Sequence, residues 1–345
     1  MIINDIRYNK LSQETFQAYS LFCKKTKQTP LFFTCEFSSE LWGIVAYKNK
    51  TVVGGWIGKM RANKPIIKIL AKSIWFDSFP VVESQSEKDK IALIKVAMIF
   101  AKQDSIVLFN VTHWSREQFE YKDIISVYNK NATFVIDLSQ SKDVVWGNVA
   151  GNQKNIVRKG VKNEIILLKS QGKSSLEFLM DFQKLREQTQ GRAIRNNKNA
   201  SMLLKSDNFF RDLMSHENSY LFVAKYDNEV VSVALMLVSN DVMYYYSGGS
   251  DWEKNKKTGA SALLVWHAIE EAQMMGLKSF DLGGVPVNPD KSHPAYGVYS
   301  FKKSFGGEYR EFDSGKIIIS PLKFKVLNFF LKQRKIVRIV SNKNI

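Results

Sequence analysis

Short apolar runs alternate with polar turns from Leu41 to Val82, and within LWGIVAYKNKTVVGGWIG the polar stretch Tyr47 to Thr51 predicts a hairpin between two strands. The period then lengthens. Ile91, Ile94, Ala97, Met98 and Ala101 recur at helical spacing between Glu87 and Gln103, and IVLFN from Ile106 to Asn110 returns to a strand.

ATFVIDLS, from Ala132 to Ser139, reads as a further strand, followed by a basic amphipathic stretch from Val144 to Lys162 and a strand around Ile165. The pattern then begins again. Helices over Ser175 to Gln190 and Ser206 to His216 lead into three strands joined at Asp227-Asn228 and Asn240-Asp241. A helix from about Ser261 to Met275 precedes the strand SFDLGG. KYDNEVVSVALML repeats the plan of AYKNKTVVGGWIG, so the pattern predicts two copies of one α+β unit.

A chain of 345 residues exceeds one typical domain of roughly 100–200 residues, which agrees with two. The formal charge of +17 favours anionic partners such as phosphates, nucleic acid or an anionic leaflet, without selecting among them. Cys23 and Cys35 are the two cysteines, and the four histidines lack ligand spacing, so neither a disulfide framework nor a metal site is expected. MIINDIRYNK has no apolar signal core, and no run approaches the ~20 apolar residues of a membrane span, so the expected location is the cytoplasm.

The chemistry-bearing residues concentrate between Met243 and Gly307. There a Tyr-rich strand meets SGGSD, a polar turn and a helix whose first N–H groups suit phosphate or carboxylate binding. Lys256, Lys257, Gly259, Ala260 and Ser261 are therefore candidates to bind a phosphate or carboxylate, with an ordinary helix cap as the alternative. The order of that strand and helix, then Phe280-Asp281-Leu282-Gly283-Gly284, Gly297, Phe301-Lys302 and Phe305-Gly306-Gly307, resembles the C-terminal signature of the FemAB-like branch of the GNAT acyltransferases. Lys256 to Ser261 resembles the GNAT pyrophosphate loop, with lysine in first place and serine in last, which implies that Lys256, Lys257, Gly259, Ala260 and Ser261 form the donor-binding loop. NQKNIVRKGVKN resembles the family's basic helix, TPLFFTCEFSSELWG its N-terminal opening, and LREQTQGR its Thr-x-x-Arg helix.

The resemblance implies an α+β fold of two tandem GNAT-like domains, placed here at 1–165 and 166–320, with a basic amphipathic tail at 321–345. It implies an enzyme that moves an aminoacyl or acyl group onto an amine of a cell-envelope precursor, as in peptidoglycan bridge formation. The donor is aminoacyl-tRNA or acyl-CoA, with no bound cofactor and no metal. Two alternatives stand beside it: an acyl-CoA-dependent N-acyltransferase of a surface amino sugar, and a basic RNA- or membrane-binding protein without chemistry.

Lys302 is the expected cation for the oxyanion of acyl transfer. Asp281 either orients or deprotonates the acceptor amine, or caps the turn after its strand. Arg158, with Lys154 one turn before it, is expected to hold a phosphate or carboxylate of the acceptor. Tyr245, Tyr246, Trp252 and Phe301 are candidate cleft residues, and Gly283 and Gly284 permit close approach of backbone or substrate. The tail mixes Phe324, Leu327, Phe330 and Leu331 with lysines and arginines, the composition of an interfacial helix that would meet an anionic membrane.

Overall fold

The computed structural model describes residues 1–3, 5–26, 37–61, 72–112, 124–196, 207–326 and 328–329. Cys35, residues 29–36 of the N-terminal opening, and the tail from 330 onward lie outside them. The chain divides into two compact units, Met1–Lys130 with Phe312–Ile345, and Asn131–Glu311.

In the first unit, β1 (Ile2–Ile3), β2 (Ile6–Lys10), β3 (Leu41–Lys48), β4 (Thr51–Arg61) and β5 (Ser73–Phe76) follow one another in an antiparallel meander. Asn49 and Lys50 both adopt positive φ in the predicted hairpin, as a two-residue turn between twisted strands requires. After β6 (Val81–Val82), α2 (Glu87–Gln103) crosses to β7 (Leu108–Thr112), which runs parallel to β5. Ser86 starts this helix by accepting the Asp89 N–H, and Leu93, Ile94, Ala97 and Ala101 face the core. α1 (Gln13–Thr26) covers the opposite sheet face with Phe16, Tyr19 and Phe22. The unit's last strand is the Ser314–Ile318 stretch of β14 (Glu308–Ile318), antiparallel to β7.

The second unit repeats the plan. β9 (Ile166–Gln171), β10 (Ser219–Tyr226), β11 (Glu229–Ser239) and β12 (Val242–Ser250) form the meander. α7 (Trp252–Thr258) and α8 (Ala260–Met274) then cross to β13 (Ser279–Asp281), parallel to β12. β8 (Val127–Asp137) closes this sheet through Val135, Ile136 and Asp137. The two faces bury different sets: Phe222, Ala224 and Met236 lie with α8, whereas Leu221, Val223 and Leu235 lie with α5 (Leu179–Asn196) and α6 (Asp207–Met214). α8 is apolar nearly all round because layers cover it on both sides.

The boundary expected at 165/166 falls inside the second unit. Val145 of α3 (Lys142–Asn148) and Val157 of α4 (Gly151–Lys162) belong to the α8 core, and a Cβ on Gly160 would sit 2.8 Å from Leu263 Cβ.

Candidate active site

The parallel strands β12 and β13 share three residue pairs, the last being Tyr244 with Asp281, after which the chains separate. A β-bulge leaves Tyr246 as the extra residue in β12, since Met236 pairs with Tyr245 and Leu235 with Ser247. Tyr245 and Tyr246 pack on different cores, as successive strand residues do.

At the end of β13, Asp281 is 1% exposed, and its Oδ1 accepts the Thr133 hydroxyl at 2.9 Å and the Gly283 N–H at 2.7 Å. Gly283 takes φ +81, and a Cβ there would stand 2.5 Å from the Tyr245 carbonyl oxygen and 3.1 Å from Lys302 Nζ. The position is closed to any side chain by both conformation and space.

Lys302 enters from the last turn of α9 (Tyr296–Lys303) and is 8% exposed. Its Nζ donates to the Gly284 carbonyl at 3.1 Å and lies 5.4 Å from the Tyr245 ring centroid. Burial pushes the Tyr245 phenol up to about 12, so that ring faces the ammonium as a neutral π-system. Phe301 packs edge-on against the fully buried Phe305, which fixes the helix that carries Lys302. A Cβ on Gly284 would meet nothing within 4 Å, so open space adjoins the carbonyl that holds the lysine. Lys303, one residue on, is exposed and lies 5.9 Å from the Tyr299 ring centroid.

Lys302, Asp281, Gly283, Gly284 and Tyr245 are thus one cluster, and Phe301 supports it. The sequence reading missed Thr133, a lone hydroxyl in the apolar run of β8, whose pattern signals only a buried strand. For Asp281 the geometry realises the turn cap, with one carboxylate oxygen given to Thr133 and the Gly283 N–H.

Other expected site residues lie elsewhere. Tyr246 packs with Phe209 and Phe210 under α5 and α6, because alternation along β12 turns it away from Tyr245. Trp252 is 51% exposed at the start of α7, 5.7 Å from the Arg192 guanidinium. Arg158 and Lys154 flank Trp146 at 5.8 Å each; Arg158 donates to Asn155 and Lys154 to the Gly147 carbonyl. The Thr-x-x-Arg motif fixes the end of β12: Thr189 accepts the Ser250 N–H at 3.0 Å, and Arg192 donates to the Ser250 carbonyl at 3.2 Å.

The donor loop needs correction. Free N–H groups were expected at the start of α8, but Ala260 N–H donates to Thr258 Oγ1 and Ser261 N–H to Asn255 Oδ1. Ser261 Oγ shares a hydrogen bond with Ser232, and Lys159 donates to the Lys256 carbonyl. α4 also covers the turn, since a Cβ on Gly259 would stand 2.5 Å from the Ile156 carbonyl oxygen. Lys256 and Lys257 remain exposed at its rim.

An open cleft of about 620 Å³ in this unit is lined by residues including Asp137, Asn148, Lys278, Gly306 and Arg310, but by neither Lys302 nor Asp281. Among the described residues no group of side chains is arranged to hold a metal ion, and no helix is long and apolar enough to cross a membrane.

Residues 215–332, which contain this whole cluster except Thr133, match the model of the FemAB family. That stretch is FemAB-like. The fold is similar to the crystal structure of FemX, with a TM-score of 0.64 at 16% identity over 92% of this chain and 99% of that one. It is also similar to L-PGS from Bacillus licheniformis, with a TM-score of 0.55 at 13% identity over 88% and 91% of the two chains. A tandem GNAT protein from the clavulanic acid biosynthesis pathway gives 0.52 at 12% identity over 92% and 99%. These likenesses show the fold, two tandem GNAT-like α+β domains. No curated protein matches the sequence.

Proposed function

We propose that this FemAB-like protein transfers an aminoacyl group from aminoacyl-tRNA to an amine of a cell-envelope precursor, with Lys302 as the catalytic cation. The buried Lys302 ammonium, held beside open space at Gly284, carries this reading. The acceptor nitrogen attacks the ester carbonyl carbon, so a C–N bond forms and negative charge grows on the carbonyl oxygen. A fixed cation there stabilises that oxygen more than it stabilises the uncharged ester. The C–O bond then breaks, the nitrogen gives up a proton, and the departing ribose oxygen takes one. Asp281 and Thr133 act as positioning residues, because they fix the Gly283–Gly284 backbone on which Lys302 rests.

The donor-loop geometry favours the ester donor over acyl-CoA. A pyrophosphate at Lys256 to Ser261 would have to displace the Thr258 and Asn255 caps and move α4. Arg158 and Lys154, already gathered around Trp146, are proposed to meet the acceptor's phosphate or carboxylate.

The test is transfer from radiolabelled aminoacyl-tRNA or acyl-CoA to nucleotide-linked and lipid-linked peptidoglycan precursors, comparing the unaltered protein with Lys302→Met. Product from aminoacyl-tRNA that disappears in the variant supports the reading. Product from acyl-CoA alone, or equal product from the variant, removes it.

A further inference from the structure

We infer that the helical segment after Ser320, together with Lys102 at the end of α2, forms a docking face for an anionic lipid surface. The chain is helical over 321–326 and at 328–329, with Pro321 in the first turn and the Phe324 N–H donating to the Ser320 carbonyl at 2.9 Å. Leu322, Val326 and Phe329 are 78%, 44% and 59% exposed. Leu322 and Val326, four residues apart within the helical run 321–326, lie on one helix face, and their large apolar side chains are exposed there. Phe324 is half-buried, so the segment presents one apolar stripe outward while Phe324 packs inward.

Charge selects the occupant. Lys323 and Lys325 alternate with the stripe, and Lys102 lines a groove of about 310 Å³ with Ile106, Ile319, Leu322 and Lys323. The sequence from Pro321 to Ile345 contains no acidic residue. Asp104, the carboxylate nearest Lys102 in sequence, accepts bonds from Lys10 and from the Trp42 indole. A second copy meeting this face through a two-fold axis would set lysines against lysines with no carboxylate between them. An anionic leaflet accepts both parts, taking the apolar stripe at the acyl boundary and the lysines among its headgroups.

The test is co-sedimentation of the full chain with phosphatidylcholine vesicles containing about one-third phosphatidylglycerol, and with phosphatidylcholine alone. Binding is expected to the anionic vesicles, weakened by salt, with little to the neutral ones. Leu322→Ser with Val326→Ser should lower the bound fraction about tenfold, and Lys323→Glu with Lys325→Glu should abolish the preference for anionic lipid. All four side chains are at least partly exposed, so thermal melting should stay unchanged and separate lost docking from lost folding. Failure of the unaltered protein to bind anionic vesicles overturns the inference, as does full binding by both variants. So does a dimer that Leu322→Ser with Val326→Ser converts to monomer, which would make the face a self-association surface. The assay uses no acyl donor, so it fails or succeeds independently of the proposed transfer reaction.

Discussion

Thr133 and Asp281 lie 148 positions apart in sequence and meet through a 2.9 Å hydrogen bond, both of them buried. The bond ties β8 to the turn that presents Gly283 and Gly284. Thr133→Val keeps the shape and deletes the donor, so the carboxylate loses a partner where water cannot replace it. A loss of about 1–3 kcal/mol in unfolding free energy is expected, and Thr133→Ser should recover much of it. Denaturant titration of the two variants checks this.

Lys302→Met retains much of the side-chain volume and removes the charge beneath the proposed oxyanion. The expected loss is on the order of 10²–10³ in kcat, with Lys303→Met nearly silent because that lysine is exposed. Measuring kcat and KM separately matters here. A change confined to KM would assign Lys302 to binding rather than to the transition state.

Two glycines should behave oppositely. Gly259 takes φ +79 against the Ile156 carbonyl, so Gly259→Ala should cost at least about 1–2 kcal/mol of stability. Gly284→Ala meets no neighbour within 4 Å and should leave the melting temperature close to the original. It should nevertheless slow transfer, because the added methyl enters the space proposed for substrate.

Alkaline pH should destabilise the first unit. Burial pushes the Cys23 thiol from 9.0 up to about 12, and it holds the nearby Tyr19 phenol well above its ordinary 10.0. Above 9.0 the unfolded chain releases the thiol proton while the folded chain keeps it, so stability falls with rising pH until about 12 is passed. Below 9.0 both states hold the proton and this contribution is flat. Denaturation midpoints measured between pH 8 and 11 should decline, and Cys23→Ala should make the decline shallower.

What the sequence made legible was local. The polar stretch Tyr47 to Thr51 and the Asp227-Asn228 pair announced their hairpins, Asn and Asp being residues that tolerate positive φ, and the 3.6-residue period announced α2. The Phe-Lys and Asp-Leu-Gly-Gly motifs led to Lys302 and Asp281. The bulge at Tyr246 was not legible, since one inserted residue reverses the alternation from which facing is read. Nor were the Asn255 and Thr258 caps at the donor loop, or the cover that α4 gives it. A Gly-rich turn reads the same whether its N–H groups are free or taken. The pairings of β8 with β13 and of β14 with β7 join distant segments, and no local pattern encodes such partners.

That last pairing sets an order of assembly. As the chain emerges from the ribosome, β7 is made early, but its neighbour β14 appears only after all of the second unit has been synthesised. The second unit is one unbroken segment and can close as soon as Glu311 is out. The first waits with the β7 edge unpaired, and an unpaired edge is a template for another chain. Its exposure during synthesis, and hence its demand for chaperones, is written into the connectivity: a protein stopped short of Ser314 would carry a complete second unit and a first one still open along β7.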